Sequence, residues 1–256
     1  MYNVIISDPD NDASFTLLLK IKFNENVPMK KLLAALLLTL PTMAMAIDLE
    51  GYYITAKGGV SKTSDTGTMS YGTPTKILND DDLGTGSAFG ISAGKYITDN
   101  FRLELEAIKR TGYEMDTTGD YNNSYEANIS SKSIFINGFY DFQSFSLGST
   151  PITPYLGGGV GISKNKMGAT HENRPGNTVD GKTISQFAYK VAAGTLVDLT
   201  ENVSLDINYQ YVNLGNLKSG VGVYNQNGIF QANLPAGING GEIKTQELMV
   251  GLQYKF

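Results

Sequence analysis

Apolar and polar residues alternate along much of the chain with a period of two. After Asn100, Phe101, Leu103, Leu105 and Ala107 fall on one face of an extended backbone, and Arg102, Glu104 and Glu106 fall on the other. The pattern returns after Asn202, with Val203, Leu205, Ile207, Tyr209 and Tyr211 against Ser204, Asp206, Asn208 and Gln210. This period belongs to a β-strand rather than a helix. Segments with the same character predict eight strands, near 51–61, 86–97, 101–114, 130–142, 153–163, 185–199, 203–214 and 243–256.

Two architectures fit such strands. A soluble sandwich buries the apolar face and wets the charged one, whereas an outer-membrane barrel turns the apolar face to lipid and packs the charged one inside. The connections separate them, because 62–85, 113–129, 164–184 and 215–242 are long while 98–100, 143–152 and 200–202 are short. Long and short in alternation is the outer-membrane pattern of extended external loops and brief periplasmic turns. The fold class is therefore all-β, an eight-stranded antiparallel up-and-down transmembrane β-barrel. The similarly patterned runs "ITDNFRLELE" and "LTENVSLDIN" become two periplasmic turns, each launching a lipid-facing strand. Their likeness stops where the strand stops, which argues against a duplicated domain.

The amino-terminal region reads differently. Lys30 and Lys31 precede the apolar run 32–40, followed by Ala44-Met45-Ala46. A basic start, a short apolar core and a small-residue cleavage motif make residues 29–46 a bacterial signal peptide, with Ala44 and Ala46 at its cleavage site. The core is too short to span a bilayer as a helix. Residues 1–28 stand upstream of a complete signal and are expected to be an unstructured over-extended start, leaving 47–256 as the barrel domain.

Composition excludes several chemistries. The chain has 256 residues, no cysteine and a net charge of -5. Thiolate metal sites, cysteine nucleophiles and disulfides are ruled out, and no basic stripe invites nucleic acid. "GGGVG" at 157–161 lacks the following Lys and helix of a phosphate loop, so its glycines are expected to make room for aromatic neighbours. Asn79 to Asp82 lack the ligand spacing of a calcium loop. No cofactor or metal is expected. His171, the single histidine, is the one residue on which lipid-modifying catalysis could rest, and no adjacent serine completes a dyad. The chain is expected not to be an enzyme.

The remaining candidates follow from the barrel. Eight strands enclose a lumen that side chains fill, so Lys57, Arg102, Glu104, Glu106, Lys190 and Asp206 are expected to form an internal ionic network, since buried charges must pair. Leu252, Tyr254 and Phe256 alternate to the last residue, which resembles the terminal strand by which outer-membrane barrels are recognised for insertion by the barrel-assembly machinery.

The segments "YITDNFRLELE", "INGFYDFQSF", "TPYLGGGVGIS", "FAYKVAAGTLVDLTENVSLDINYQYV" and "ELMVGLQYKF" resemble the eight-stranded outer-membrane surface antigens of Gram-negative alphaproteobacteria, including the candidate adhesins of rickettsia-like intracellular bacteria. That resemblance implies an opacity-like barrel, related to outer-membrane protein A, with both ends in the periplasm. It also implies attachment to a host surface, serum or matrix protein through the external loops. The second loop carries Tyr113, Tyr121 and Tyr125 among acidic residues, and the fourth carries Tyr224 and Phe230 in a nearly uncharged stretch. These five are the candidate contacts, and together with the acidic first loop they are expected to form the binding surface on the first, second and fourth loops. A small porin or a purely structural barrel is the alternative.

Overall fold

The computed structural model describes residues 49–256 apart from 65–68, 72–75, 79–82, 119–123, 149 and 174–175. The segment expected to be a signal peptide, with Ala44 and Ala46, the acidic run at 79–82 and Tyr121 lie outside the described residues. Eight long strands dominate: β1 Tyr52–Thr63, β2 Thr85–Tyr96, β3 Phe101–Thr118, β4 Ser124–Asp141, β5 Thr150–Met167, β6 Lys182–Asp198, β7 Val203–Lys218 and β8 Asn239–Lys255. Each pairs antiparallel with its sequence neighbours, and β1 pairs with β8 from Tyr53↔Lys255 to Thr63↔Thr245. That last ladder closes the sheet, so no long edge is left unpaired.

The repeated turns now have a side-chain explanation. Thr98 Oγ1 accepts from the amide of Phe101 at 3.0 Å, and Thr200 Oγ1 accepts from that of Val203 at the same distance. Asn100 Nδ2 donates to the carbonyl of Asp141 at 2.9 Å, and Asn202 Nδ2 donates to that of Lys255 at 3.1 Å. Threonine thus folds the turn back on itself, while asparagine ties it to the next strand, so both residues recur.

All eight strands outrun their expected limits, six of them by three residues or more, mainly at the end away from these turns. β3 and β4 have 18 residues each, whereas a tilted strand crosses the bilayer in about 9–11. The surplus is a barrel wall above the membrane. There the pattern inverts. On the lower part of β3, Leu103, Leu105 and Ala107 face out and Arg102, Glu104 and Glu106 face in. Beyond a register shift between Arg110 and Tyr113, Tyr113 and Met115 face in while Glu114 and Asp116 face out. Gly112 sits in that bulge at a φ of 89°, a left-handed conformation natural to glycine. The upper lumen consequently holds an apolar core that includes Tyr125, Ile129, Met167, Val212, Leu214 and Ile243.

Glycines on the lower wall admit the large lumenal rings. A Cβ on Gly94 would overlap the Tyr53 ring, and one on Gly157 would overlap Phe139. At Gly194 it would lie 2.6 Å from the Tyr155 ring.

Candidate functional site

Two regions collect the chemically interesting side chains: the lumen and the sheet above it. Nearest the turns, Arg102 donates from Nε to Asp141 Oδ1 at 3.0 Å. Its guanidinium lies 4.5 Å from the ring centroids of both Phe139 and Tyr155. This is a planar cation lying against two aromatic rings that meet edge to face. One layer higher, Lys57 Nζ is 2.9 Å from Glu106 Oε1 and 3.5 Å from Glu104 Oε1, and Lys190 Nζ bonds Glu106 Oε2. Asn137 Nδ2 donates to Glu104 at 3.1 Å and to Glu106 at 3.3 Å, linking the two carboxylates.

Lys57, Glu104, Glu106 and Lys190 are therefore brought together, and Arg102 forms a separate pair below them. Asp206 departs from the expectation. It lies in the lumen, yet its carboxylate accepts from Tyr155 Oη at 2.5 Å and from Asn208 Nδ2 and has no ion-pair partner among the described residues. Alternation assigns a side chain to a face but not to a neighbour, and the Tyr155 hydroxyl reaches this carboxylate from β5, two strands away across β6.

A third layer escaped the sequence reading. Arg110 Nε donates to Glu247 Oε1 at 2.5 Å and Nη2 donates to Oε2 at 3.1 Å. The same carboxylate accepts from Ser61 at 2.7 Å, Thr245 at 2.8 Å and Gln210 at 2.6 Å. β1 and β2 separate β3 from β8 around the barrel, so the pair spans the lumen. The signal was present: Arg110 and Glu247 are inward positions on strands whose phase was already known.

Above the membrane, two candidate contacts are corrected. Tyr113 is fully buried with its hydroxyl 2.5 Å from Ser61 Oγ, and Tyr125 is buried with Oη donating to Glu172 at 3.0 Å. Both belong to β3 and β4 rather than to a loop, because those strands continue past the expected limits with inverted phase. Tyr224 and Phe230 lie in the fourth connection, their rings edge to face at 5.8 Å, with Phe230 exposed. Short strands knit this connection to the third. Phe230–Asn233 pairs with Gly222–Tyr224, which pairs with Thr178–Val179, which pairs with Thr170–Glu172, which docks on β4. His171 lies within this sheet, its Nδ1 3.0 Å from Thr178 Oγ1 on the strand directly opposite.

A closed sheet with apolar residues outside and an ion-paired lumen defines a transmembrane β-barrel of the outer membrane. Residues 32–256 match the outer membrane protein beta-barrel domain, and the chain belongs to that family. It is 27% identical over 231 residues to the outer membrane protein PagN of Salmonella typhimurium, covering 81% of this chain and 90% of that protein. It is 26% identical over 176 residues to a candidate adhesin of Rickettsia rickettsii, covering 65% of this chain and 72% of that one. Among solved structures, neisserial surface protein A superposes with a TM-score of 0.50 at 19% identity, over 81% of this chain and 98% of its own. The protein is an outer-membrane surface barrel, with its apolar wall in contact with outer-membrane lipid.

Proposed function

We propose that this barrel is an adhesin that captures a host surface, serum or matrix protein on the sheet raised above the membrane by its third and fourth connections. The observation that carries this is the outermost strand. All four residues of Phe230–Asn233 are exposed, and among the described residues the strand pairs on one side only, with Gly222–Tyr224. An open edge offers a row of backbone donors and acceptors to an extended segment of a partner. Ile229 and Phe230, 59% and 52% exposed, with Val221 nearby, supply apolar anchors. The kinship with a rickettsial candidate adhesin supports the same reading.

The lumen supports a non-conducting barrel rather than a small porin, because three ionic layers and an apolar core occupy it. A non-catalytic role is consistent with His171, whose contact with Thr178 is that of an ordinary cross-strand pair. We further propose residues 29–46 as the cleaved signal, 1–28 as the over-extended start, and Leu252, Tyr254 and Phe256 as the mark read by the barrel-assembly machinery. Sequencing the amino terminus of the membrane-extracted protein should begin at Ile47.

The adhesin reading is tested by replacing residues 225–233 with a short Gly-Ser turn and measuring host-cell and matrix-protein binding at matched surface expression. Binding should be lost. Undiminished binding by the variant sinks the proposal.

A further inference from the structure

Four lysines crowd the outer wall where the apolar band ends. Lys109 on β3 is directly opposite Lys132 on β4, and Lys132 is directly opposite Lys164 on β5. Lys166 follows one outward position further along β5. All four are exposed, and none forms an ion pair among the described residues. Side chains directly opposite across a ladder have Cβ atoms about 5 Å apart, and like charges so placed repel. Three cations in one row therefore call for an anion that the chain itself does not supply. The outward carboxylates on this side begin beyond the bulge, with Glu114 in register with Asn128, four residues past Lys132 and about 13 Å along the strand.

The level of the row identifies the anion. Immediately below it, in register, lie Ala107, Ile134 and Ile162, and Phe89 and Ser185 flank it at its own height. From Lys132 to Tyr140, an outward aromatic at the opposite margin, is eight residues along β4. At about 3.4 Å each and a tilt of about 40°, that is about 21 Å across a band typically about 25 Å tall. The row thus stands at the headgroup level of the external leaflet. The lysines at the periplasmic margin are already engaged, Lys95 over the Tyr52 ring at 4.4 Å and Lys255 with Asp198 at 3.5 Å.

We infer that Lys109, Lys132, Lys164 and Lys166 form a binding site for the phosphate groups of an outer-leaflet lipid, whose acyl chains lie along the apolar wall beneath. A basic residue near an anionic lipid surface strengthens binding about fivefold, so the four lysines should favour a diphosphorylated lipid over a neutral one by several hundredfold, roughly 600-fold. The site fixes the height of the barrel in the membrane and the face it turns to its lipid neighbours.

The full-length protein, folded into phosphatidylcholine nanodiscs, is titrated with diphosphoryl lipid A, and retained lipid is counted by native mass spectrometry. Affinity for the lipid should fall by several hundredfold, roughly 600-fold, in the Lys109→Gln/Lys132→Gln/Lys164→Gln/Lys166→Gln variant and stay unchanged in Lys95→Gln/Lys255→Gln. Equal retention by the wild type and the quadruple variant overturns the inference. Should the quadruple variant fail to fold, wild-type retention of diphosphoryl lipid A against its fully dephosphorylated form decides, and equal retention again overturns it. Millimolar inorganic phosphate should leave retention intact. Displacement by it would show a soluble-phosphate site and reject the lipid assignment.

Discussion

The Arg110–Glu247 pair gives the sharpest test of how the barrel is held. Both side chains are fully buried, and the bidentate contact joins strands on different sides of the lumen. Glu247→Gln keeps one acceptor oxygen, enough for Ser61 and Thr245, but turns an NH2 donor toward Gln210 and leaves the guanidinium without a counter-charge. Arg110→Met leaves the opposite orphan. Breaking one partner of a buried pair costs about 3–5 kcal/mol, because the remaining charge is stranded. Removing both charges strands neither, so the double variant should recover much of that loss. The expected coupling is about 2–3 kcal/mol, near the upper end for contacting residues. That corresponds to roughly a hundredfold in the unfolding equilibrium. Urea titration in lipid vesicles, read as loss of the fast-migrating folded form on unheated gels, measures all four corners of the cycle. If the double variant loses the sum of the two singles to within about 0.5 kcal/mol, the pair carries no mutual stabilisation and the ionic account of the lumen is wrong at this layer.

Three further outcomes are expected. Gly94→Ala forces a methyl into the Tyr53 ring and should destabilise by about 1–3 kcal/mol through overpacking; the same urea titration checks it, and a neutral result would mean the ring moves freely. Phe256→Ser should lower the yield in the outer-membrane fraction while the urea midpoint of the inserted protein barely moves, whereas a large midpoint change with normal yield would make Phe256 a packing residue rather than an insertion mark. The folded wild type in planar bilayers should show no steady single-channel conductance, and stable openings would bring the porin alternative forward.

The strands and turns of the membrane section were legible because lipid outside and charge inside impose one rule over many residues. From Phe101 to Ala107 and from Val203 to Ile207 the alternation is unbroken, and it specifies which side chains enter the lumen. The section above the membrane was less legible for an equally physical reason. Beyond Gly112 on β3 the solvent outside changes from lipid to water, so the faces exchange character, and the bulge shifts the inward parity from even to odd numbers. Gly215 on β7, at a φ of 76°, lies within a similar break between Asn213 and Asn216. Read with the lower rule, Glu114, Asp116, Tyr113 and Tyr125 look like an acidic, tyrosine-bearing loop. With the inverted rule they are a strand pair with tyrosines inside.

That inversion bears on adhesion. A loop that hangs freely from a barrel loses conformational entropy on binding, and its affinity falls accordingly. Here the wall continues above the membrane as a water-facing barrel around its own apolar core of Met115, Ile129, Met167 and Leu214. The short strands at 170–172, 178–179, 222–224 and 230–233 extend from β4 as a sheet. The open edge at Phe230–Asn233 is therefore carried on hydrogen-bonded scaffold rather than on unstructured chain, and much of the ordering cost of binding is met during folding. The ionic lumen and the lipid-facing rows lie on the far side of the apolar core from that edge. On the proposed reading, substitutions in the outer hairpins change what the edge captures while leaving membrane insertion untouched, because the two tasks rest on different residues of one barrel.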